Sequence, residues 1–307
     1  MAENVVKESM HISWRKRLFA RSSATQRRRF TRSRAGNIMY TLFILAAGLF
    51  SVVPMVYSII TSFKPLDELL LFPPRFFVQR PTLENYLVLP KLLSNLSVPL
   101  SRYIFNSVFV SISTTFLYVL VASMSAFVIS KSNIKGRKFL FMVIQFVLLF
   151  NSYTLGVPQY LIFSWTRLID TYWIYILPSL PSTMGVFLMK QYMDGCIPDT
   201  LLQAAKIDGA GHFRIFWGIV VPMVKPAIMT LTLFAFRDSW AAAPGDTIFK
   251  EQYRSLQAIM GQVASGGVAR AGSAMAVTVI MMIPPILVYL VTQSNIMETM
   301  SSAGIKE

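Results

Sequence analysis

Side chains able to do covalent or metal chemistry are few and scattered in this sequence. The two histidines, His11 and His212, stand far apart, and Cys196 is the one cysteine, so neither a disulfide nor a Cys/His metal spacing can be built within the chain. No Gly-rich stretch ends in Gly-Lys-Ser or Gly-Lys-Thr, so a phosphate loop for ATP is lacking. No catalytic, cofactor or metal site is expected. His212 reads as a solvated loop residue. What remains is recognition chemistry. Asn106, Gln145, Asn151, Tyr153, Gln159 and Trp240 put amides, a hydroxyl and an indole inside otherwise apolar stretches, where they could line a path for a hydroxyl-rich solute. The same residue types are ordinary hydrogen-bond partners between helices, and the sequence leaves both readings open.

The elements that must position these residues are set by composition. Of 307 residues 54% are hydrophobic and 14% charged, with a mean hydropathy of +0.53, whereas soluble domains carry about 25% charged residues. The chain belongs in a membrane, and an unfolded polar tract is excluded. A hydrocarbon core about 30 Å thick needs about 20 apolar residues per helix. Uncharged stretches run from Asn37 to Phe63, Tyr103 to Ser130, Phe139 to Thr166 and Ser273 to Asn295. Shorter or interrupted stretches cover Thr171 to Met189, and Pro226 to Phe236 extended back over Ile219 to Pro222. The expected fold is therefore all-α, a polytopic integral membrane protein with six transmembrane helices at about 37–63, 103–130, 139–166, 171–190, 219–241 and 273–295. Together, 37–297 form the membrane domain. Pro284 and Pro285 should kink the sixth helix, because neither supplies an amide donor.

Charge orients the spans. With the N-terminus in the cytoplasm, 19 of the 29 basic residues fall on the inner face and ten on the outer, where loops also carry seven acidic residues. Basic residues favour the cytoplasmic side, so both termini are expected there. The tail 1–36, with its cluster Arg27, Arg28, Arg29, Arg32 and Arg34, reads as a juxtamembrane anchor on anionic lipid rather than a nucleic-acid binder. Its first span exceeds the 7–15 residues of a signal core and should remain in the protein. A second, short tail covers 298–307. Two long segments fall outside: 62–102, rich in proline and expected to be an ordered cap, and 237–272, whose glycines suggest a mobile contact loop.

Between the fourth and fifth spans lies an inner segment, 193–222, that is neither a tail nor a short basic turn. Pro198 precedes Asp199 and Thr200, which have the chemistry of helix caps, and a short helix should run through Leu201 to Ile207. Leu201, Leu202, Ala205 and Ile207 would share a stripe. Gly209 and Gly211 should stop the helix, and Phe213, Ile215, Phe216 and Trp217 form an apolar cluster returning to the membrane at Ile219 and Pro222. The expected shape is helix, sharp bend, helix.

The run Gln203-Ala204-Ala205-Lys206-Ile207-Asp208-Gly209-Ala210, followed after a gap by Ile219-Val220-Val221-Pro222, resembles the EAA loop of the membrane subunits of binding-protein-dependent ABC importers. Its Ile-Asp-Gly-Ala core is similar to the carbohydrate branch, the MalG-like permeases. The likeness extends to Pro65 through Tyr86, to Asn106-Ser107 at the start of the second helix, and to Gly304-Ile305-Lys306 near the end. It implies a type I ABC importer permease architecture in a bacterial cytoplasmic membrane. It also implies four kinds of partner: a second homologous permease, two ATPase subunits that bind ATP with magnesium, an extracytoplasmic solute-binding protein and a carbohydrate substrate, with no cofactor on this chain. In the family the loop docks on the ATPase. Carried over, the docking positions are Leu202, Gln203, Ala204, Ala205, Lys206, Asp208, Gly209, Ala210, Ile219 and Pro222. Gln203 departs from the family's glutamate, exchanging a charge for a hydrogen-bonding amide. An importer for an amino acid, polyamine or phosphate would share this loop, and an ATP-independent channel or carrier is the reading of a different class.

Overall fold

The computed structural model describes residues 34–92, 98–150, 155–244, 247–267 and 270–303. The tail before Arg34, the candidates Asn151 and Tyr153, and Gly304-Ile305-Lys306 lie outside these ranges. All regular elements among the described residues are helical. By contacts the chain divides into two units, one ending at Val56 and one beginning at Tyr57.

Helix α1 spans Arg34–Ser62, and its stretch Ala35–Ser62 is 28 residues long. At 1.5 Å per residue that is about 42 Å, enough to cross a hydrocarbon core. Its apolar side chains point outward on all sides, with Phe43 71% and Phe50 81% exposed, which suits a helix solvated by lipid or protein. Thr41 and Ser51 donate to the carbonyls of Asn37 and Ala47, so their hydroxyls need no water.

In the second unit, α2 (Leu66–Leu69) and α3 (Glu84–Leu92) belong to a folded segment rather than a loose loop. The Glu68 carboxylate accepts from the backbone amides of Gln79 and Arg80, and Asn85 Nδ2 donates to the carbonyls of Ser62 and Lys64, each at 2.8 Å. A Cβ on Gly272 would stand 2.5 Å from Asn85 Oδ1, so glycine is what lets this asparagine approach the last helix. These bonds link Ser62 and Lys64 to Asn85, and Glu68 to Gln79 and Arg80.

Helix α4 (Leu100–Lys131) is the centre of the bundle. Its buried residues include Asn106, Ser107, Val110, Ser111, Thr114, Ala122, Ser123 and Ala126, mostly small, which lets neighbouring backbones come close. Two shorter helices follow, α5 (Arg137–Val147) and α6 (Gly156–Trp165), where one uninterrupted span was expected. The expected fourth span is also divided. It comprises α7 (Trp173–Ile176), a 3-10 turn at Leu177–Ser179, and α8 (Thr183–Cys196), which starts where Ser182 Oγ accepts the Gly185 amide at 2.9 Å. The next helices are α9 (Asp199–Ile207), α10 (His212–Ile215), a π-helical stretch Phe216–Val220 and α11 (Val221–Met223). Then come α12 (Lys225–Ala241), α13 (Leu256–Ala264) and α14 (Ala271–Ala303). Helix α4 packs against α8 and α12, and α12 against α14.

Three helices are long and apolar enough to cross a membrane alone: Ala35–Ser62, Leu100–Lys131 and Ala271–Ser294. A fourth is present if His212–Met223 and Lys225–Ala241, bent by 83° at Val224, count as one span. Residues 219–222, expected to begin the fifth span, therefore lie on the far side of that bend from the helix they were assigned to.

One further expectation needs correction. Residues 237–272 are not a mobile loop throughout, because α13 buries Leu256, Ile259 and Val263 against Leu89, Tyr103 and Val277, despite Gly261 within it. Helical spacing of these three apolar residues outweighs the cost of one glycine, about 1 kcal/mol. Pro284 and Pro285, expected to kink the sixth helix, lie inside α14, which continues past them to Ala303. Pro285 cannot donate to the Met281 carbonyl four residues back, and the indole Nε1 of Trp240 donates to that carbonyl instead, at 3.0 Å.

Candidate functional site

The most structured feature between α8 and α12 is an elbow of two limbs. Its first limb, α9, begins after Ile197 and Pro198 break the chain out of α8 in extended conformations. Pro198 occupies the cap position with no side-chain cap bond, so Asp199 does not act as the expected cap. Asp199 is instead the first helical residue, and its carboxylate pairs with Lys131 at 2.8 Å. The Lys131 ammonium also donates to the carbonyl of Ile197, at 2.7 Å. Its side chain is 7% exposed, whereas that of Asp199 is 75% exposed. Beside it, Asp194 accepts from Lys190 at 2.6 Å and from the Ser130 hydroxyl. Partial burial pushes the Asp194 carboxyl up, but those two hydrogen bonds and the charges of Lys190 and Lys131 outweigh it and hold the group below its usual value. Lys190 in turn lies 4.2 Å above the Phe141 ring of α5.

The end of α9 is a Schellman stop. The Ala210 amide donates to the Ala205 carbonyl and the Gly209 amide to that of Lys206, both at 3.0 Å, with Gly209 at φ +80°. This left-handed position is where a glycine is required. Ala210 packs on the same apolar cluster that contains Ala205, the hydrophobic contact typical of the motif. Gly211 then caps the second limb, which passes through the π-helical stretch to the bend at Val224.

The two faces of α9 divide the sequence-derived candidates. Leu202 and Ala205 are buried against Met193, Ile197, Ile215 and Phe216, and half-buried Ala210 and Ile219 join that cluster. Gln203, Ala204, Lys206, Asp208 and Gly209 are exposed, as is Pro222 just before the bend. The expected stripe of Leu201, Leu202, Ala205 and Ile207 does not hold: Leu201 is 39% and Ile207 86% exposed. At 100° per residue, Ile207 lies about 200° around the helix from Ala205, so both cannot face one core.

The candidates for a solute path do not converge. Asn106 is fully buried, donates to the carbonyls of Gln252 and Arg254 at 2.9 Å each, and accepts from the Tyr172 hydroxyl at 2.8 Å. Both of its N–H donors are spent on the 251–255 backbone and the residue is fully buried, so it serves to hold that backbone. Neighbouring Ser107 does likewise, its hydroxyl accepting the Leu256 amide at the start of α13 at 2.7 Å. Trp240 spends its donor on Met281, while its ring, stacked on Phe236, borders a groove of about 600 Å³. That groove is almost wholly apolar, with Phe116, Phe216, Trp217 and Leu287 among its walls. Gln159 borders a different, more polar pocket of about 630 Å³, with Tyr160, Tyr175 and Ser179. Among the described residues no group of three His, Cys, Asp or Glu side chains could hold a metal ion. Sequence reasoning missed Ser130, Lys131 and Asp194. The available signal was that Lys131 closes a long uncharged stretch, at the helix end where a cation is favoured.

Comparison with known proteins supports one family. The model of the binding-protein-dependent transport system inner membrane component matches residues 118–300. The polygalacturonan/rhamnogalacturonan transport system permease protein YtcP of Bacillus subtilis is 27% identical over 280 residues, 82% of this chain and 92% of that protein. The diacetylchitobiose uptake system permease protein NgcG of Streptomyces coelicolor is 28% identical over 297 residues, 94% and 93% of the two chains. A chain in the crystal structure of a bacterial ABC transporter involved in the import of the acidic polysaccharide alginate shares the fold. Its TM-score is 0.71 at 21% identity, with 86% of this chain and 98% of that one covered. With its elbow and helices α5 to α13 falling inside the matched region, this chain belongs to the binding-protein-dependent transport system inner membrane components, as a transport subunit and not an enzyme.

Proposed function

We propose that this chain is the membrane-spanning half of an ATP-driven importer of carbohydrate, with oligosaccharides as its substrate class. It pairs with a second, related permease, two ATPase subunits that bind ATP with magnesium, and an extracytoplasmic solute-binding protein. Both termini face the cytoplasm, six spans cross the membrane with the third, fourth and fifth assembled from broken helices, and segments 62–102 and 237–272 lie outside, where they meet the binding protein. The names of the polygalacturonan/rhamnogalacturonan and diacetylchitobiose relatives support the substrate class.

The observation that carries the coupling role is the division of α9 into an inward face, Leu202 and Ala205, and an outward face, Gln203, Ala204, Lys206, Asp208 and Gly209. Exposed small residues let a groove on the ATPase close onto the helix backbone, and Gln203 offers it an amide rather than a charge. The inward face fixes α9 to the bundle, so displacement of α9 becomes rigid-body displacement of α4 and α8. ATP binding and hydrolysis then bias the equilibrium between outward-facing and inward-facing states.

The test is a pair of substitutions one residue apart. Ala204→Asp should keep the permease folded and inserted but abolish co-purification of the ATPase and sugar uptake. Ala205→Asp puts a carboxylate into the buried cluster and should lower the yield of folded permease itself. Normal ATPase association in the Ala204→Asp complex refutes the docking assignment, and a ligand screen of the cognate binding protein that returns no carbohydrate refutes the substrate class.

A further inference from the structure

The Lys131 ammonium lies at the joint between α8 and α9. Helix α8 ends at Cys196 and α9 begins at Asp199, so only Ile197 and Pro198, both extended, set the angle between them. Proline fixes its own φ, but the remaining backbone rotations of a two-residue joint are soft. The Ile197 side chain is buried, 2% exposed, and its carbonyl accepts from Lys131 Nζ at 2.7 Å. The same ammonium reaches Asp199 Oδ1, on the first residue of α9, at 2.8 Å. One buried side chain from the end of α4 therefore spans the joint, holding the carbonyl before it and the carboxylate after it. The adjacent Ser130 donates to Asp194 on α8, so the end of α4 grips each side of the bend.

We propose that Lys131 is a positioning residue that locks the α8–α9 joint, so that force on α9 turns the bundle instead of bending the joint. This rests on the reading of α9 as the ATPase-docking helix. The ammonium's two bonds are unequal. The ion pair to Asp199 is largely exposed on the carboxylate side, where such pairs contribute little. The bond to the Ile197 carbonyl is charge-assisted and shielded, and its loss leaves a carbonyl without its partner. Lys131 thus matters more than its acidic partner.

The experiment uses the complete importer in proteoliposomes, with sugar imported per ATP hydrolysed as the readout and ATPase co-purification as the control. Lys131→Met preserves the aliphatic stem and removes the charge. It should retain the ATPase and continue to hydrolyse ATP, while sugar imported per ATP falls about tenfold, the effect expected for one lost charge-assisted hydrogen bond. Lys131→Arg keeps a charged donor and should restore most of the ratio, and Asp199→Asn should leave it within about twofold. An unchanged ratio in Lys131→Met overturns the proposal, as does a failure of Lys131→Arg to rescue or an Asp199→Asn loss as large as that of Lys131→Met. Loss of the ATPase from the Lys131→Met complex also overturns it, since the residue would then act on docking. Failure of the docking reading shows separately, as ATPase retained by Ala204→Asp.

Discussion

Gly209 offers the sharpest test of what shapes the elbow, because its two possible roles predict opposite orders of tolerance. At φ +80° it holds a left-handed conformation, and a Cβ built on it would meet nothing within 4 Å. Alanine therefore pays no steric penalty against neighbouring residues, and its whole cost is the backbone one, about 1–2 kcal/mol for an L side chain in this region. Asparagine is larger but adopts that region more readily, so its cost should be smaller. Were space the determinant, asparagine would be the worse of the two. A penalty of 1–2 kcal/mol is a factor of about 5–30 in a local equilibrium. Hydrogen exchange reads it directly at the Gly209 and Ala210 amides, which donate to Lys206 and Ala205. Exchange there should accelerate about 5–30-fold in Gly209→Ala and by a smaller factor in Gly209→Asn, with α4 amides unchanged in both. Equal acceleration in the two variants, or a larger effect of asparagine, refutes the Schellman account of the stop.

Two further outcomes follow from the bonds around the elbow and the last helix. Trp240→Phe keeps the ring on Phe236 but deprives the Met281 carbonyl of its donor, and should destabilise the solubilised permease by about 1 kcal/mol, read as a lowered thermal midpoint. No change would mean that Pro285 leaves no unmet carbonyl there. The Asp194 carboxyl, held below its ordinary value of 3.8, contributes stability that is fully present above that value and lost as pH falls through the lower folded one. Thermal midpoints of the protein and of Asp194→Asn should therefore differ by a constant amount from pH 8 to 5 and converge only on stronger acidification. Convergence already between pH 7 and 6 refutes that direction.

The broad frame of the molecule was legible because its signals are compositional. Long uncharged runs located α1, α4 and α14, and Pro198 with Gly209 located the elbow to within two residues. The divided third and fourth spans were not legible from the same signal, since hydropathy reports the cost of placing residues in lipid and is indifferent to where a helix starts. The starts were nonetheless written in the sequence. Gly156 and Pro158 lie in the first turn of α6, where a missing amide costs nothing, and Ser182 after Pro181 supplies the cap of α8. Segment 237–272 was misread for a related reason: Gly261, Gly266 and Gly267 drew attention from the spacing of Leu256, Ile259 and Val263, which is what packs it. At the elbow, both Leu201 and Leu202 were compatible with an inward stripe, and only packing against Met193 and Phe216 selects the second.

Lys131 marks the limit of reading charge by number. In a count of basic residues it weighs no differently from Lys135 or Lys138, and only its place at the close of a long uncharged stretch sets it apart. Lys135 and Lys138 are exposed, whereas the Lys131 side chain is almost wholly covered and bonded at both ends of a helix joint. The difference arises from the length of α4. Its 32 residues, at 1.5 Å each, reach about 48 Å, longer than the 30 Å of hydrocarbon, and its last residue reaches the elbow, where Lys131 meets the Ile197 carbonyl. A helix that stopped at the membrane boundary would leave the Ile197 carbonyl without a donor from α4. The extra length of the helix and the cation at its tip are thus parts of one device, and the charge acquires its role from where the helix carries it.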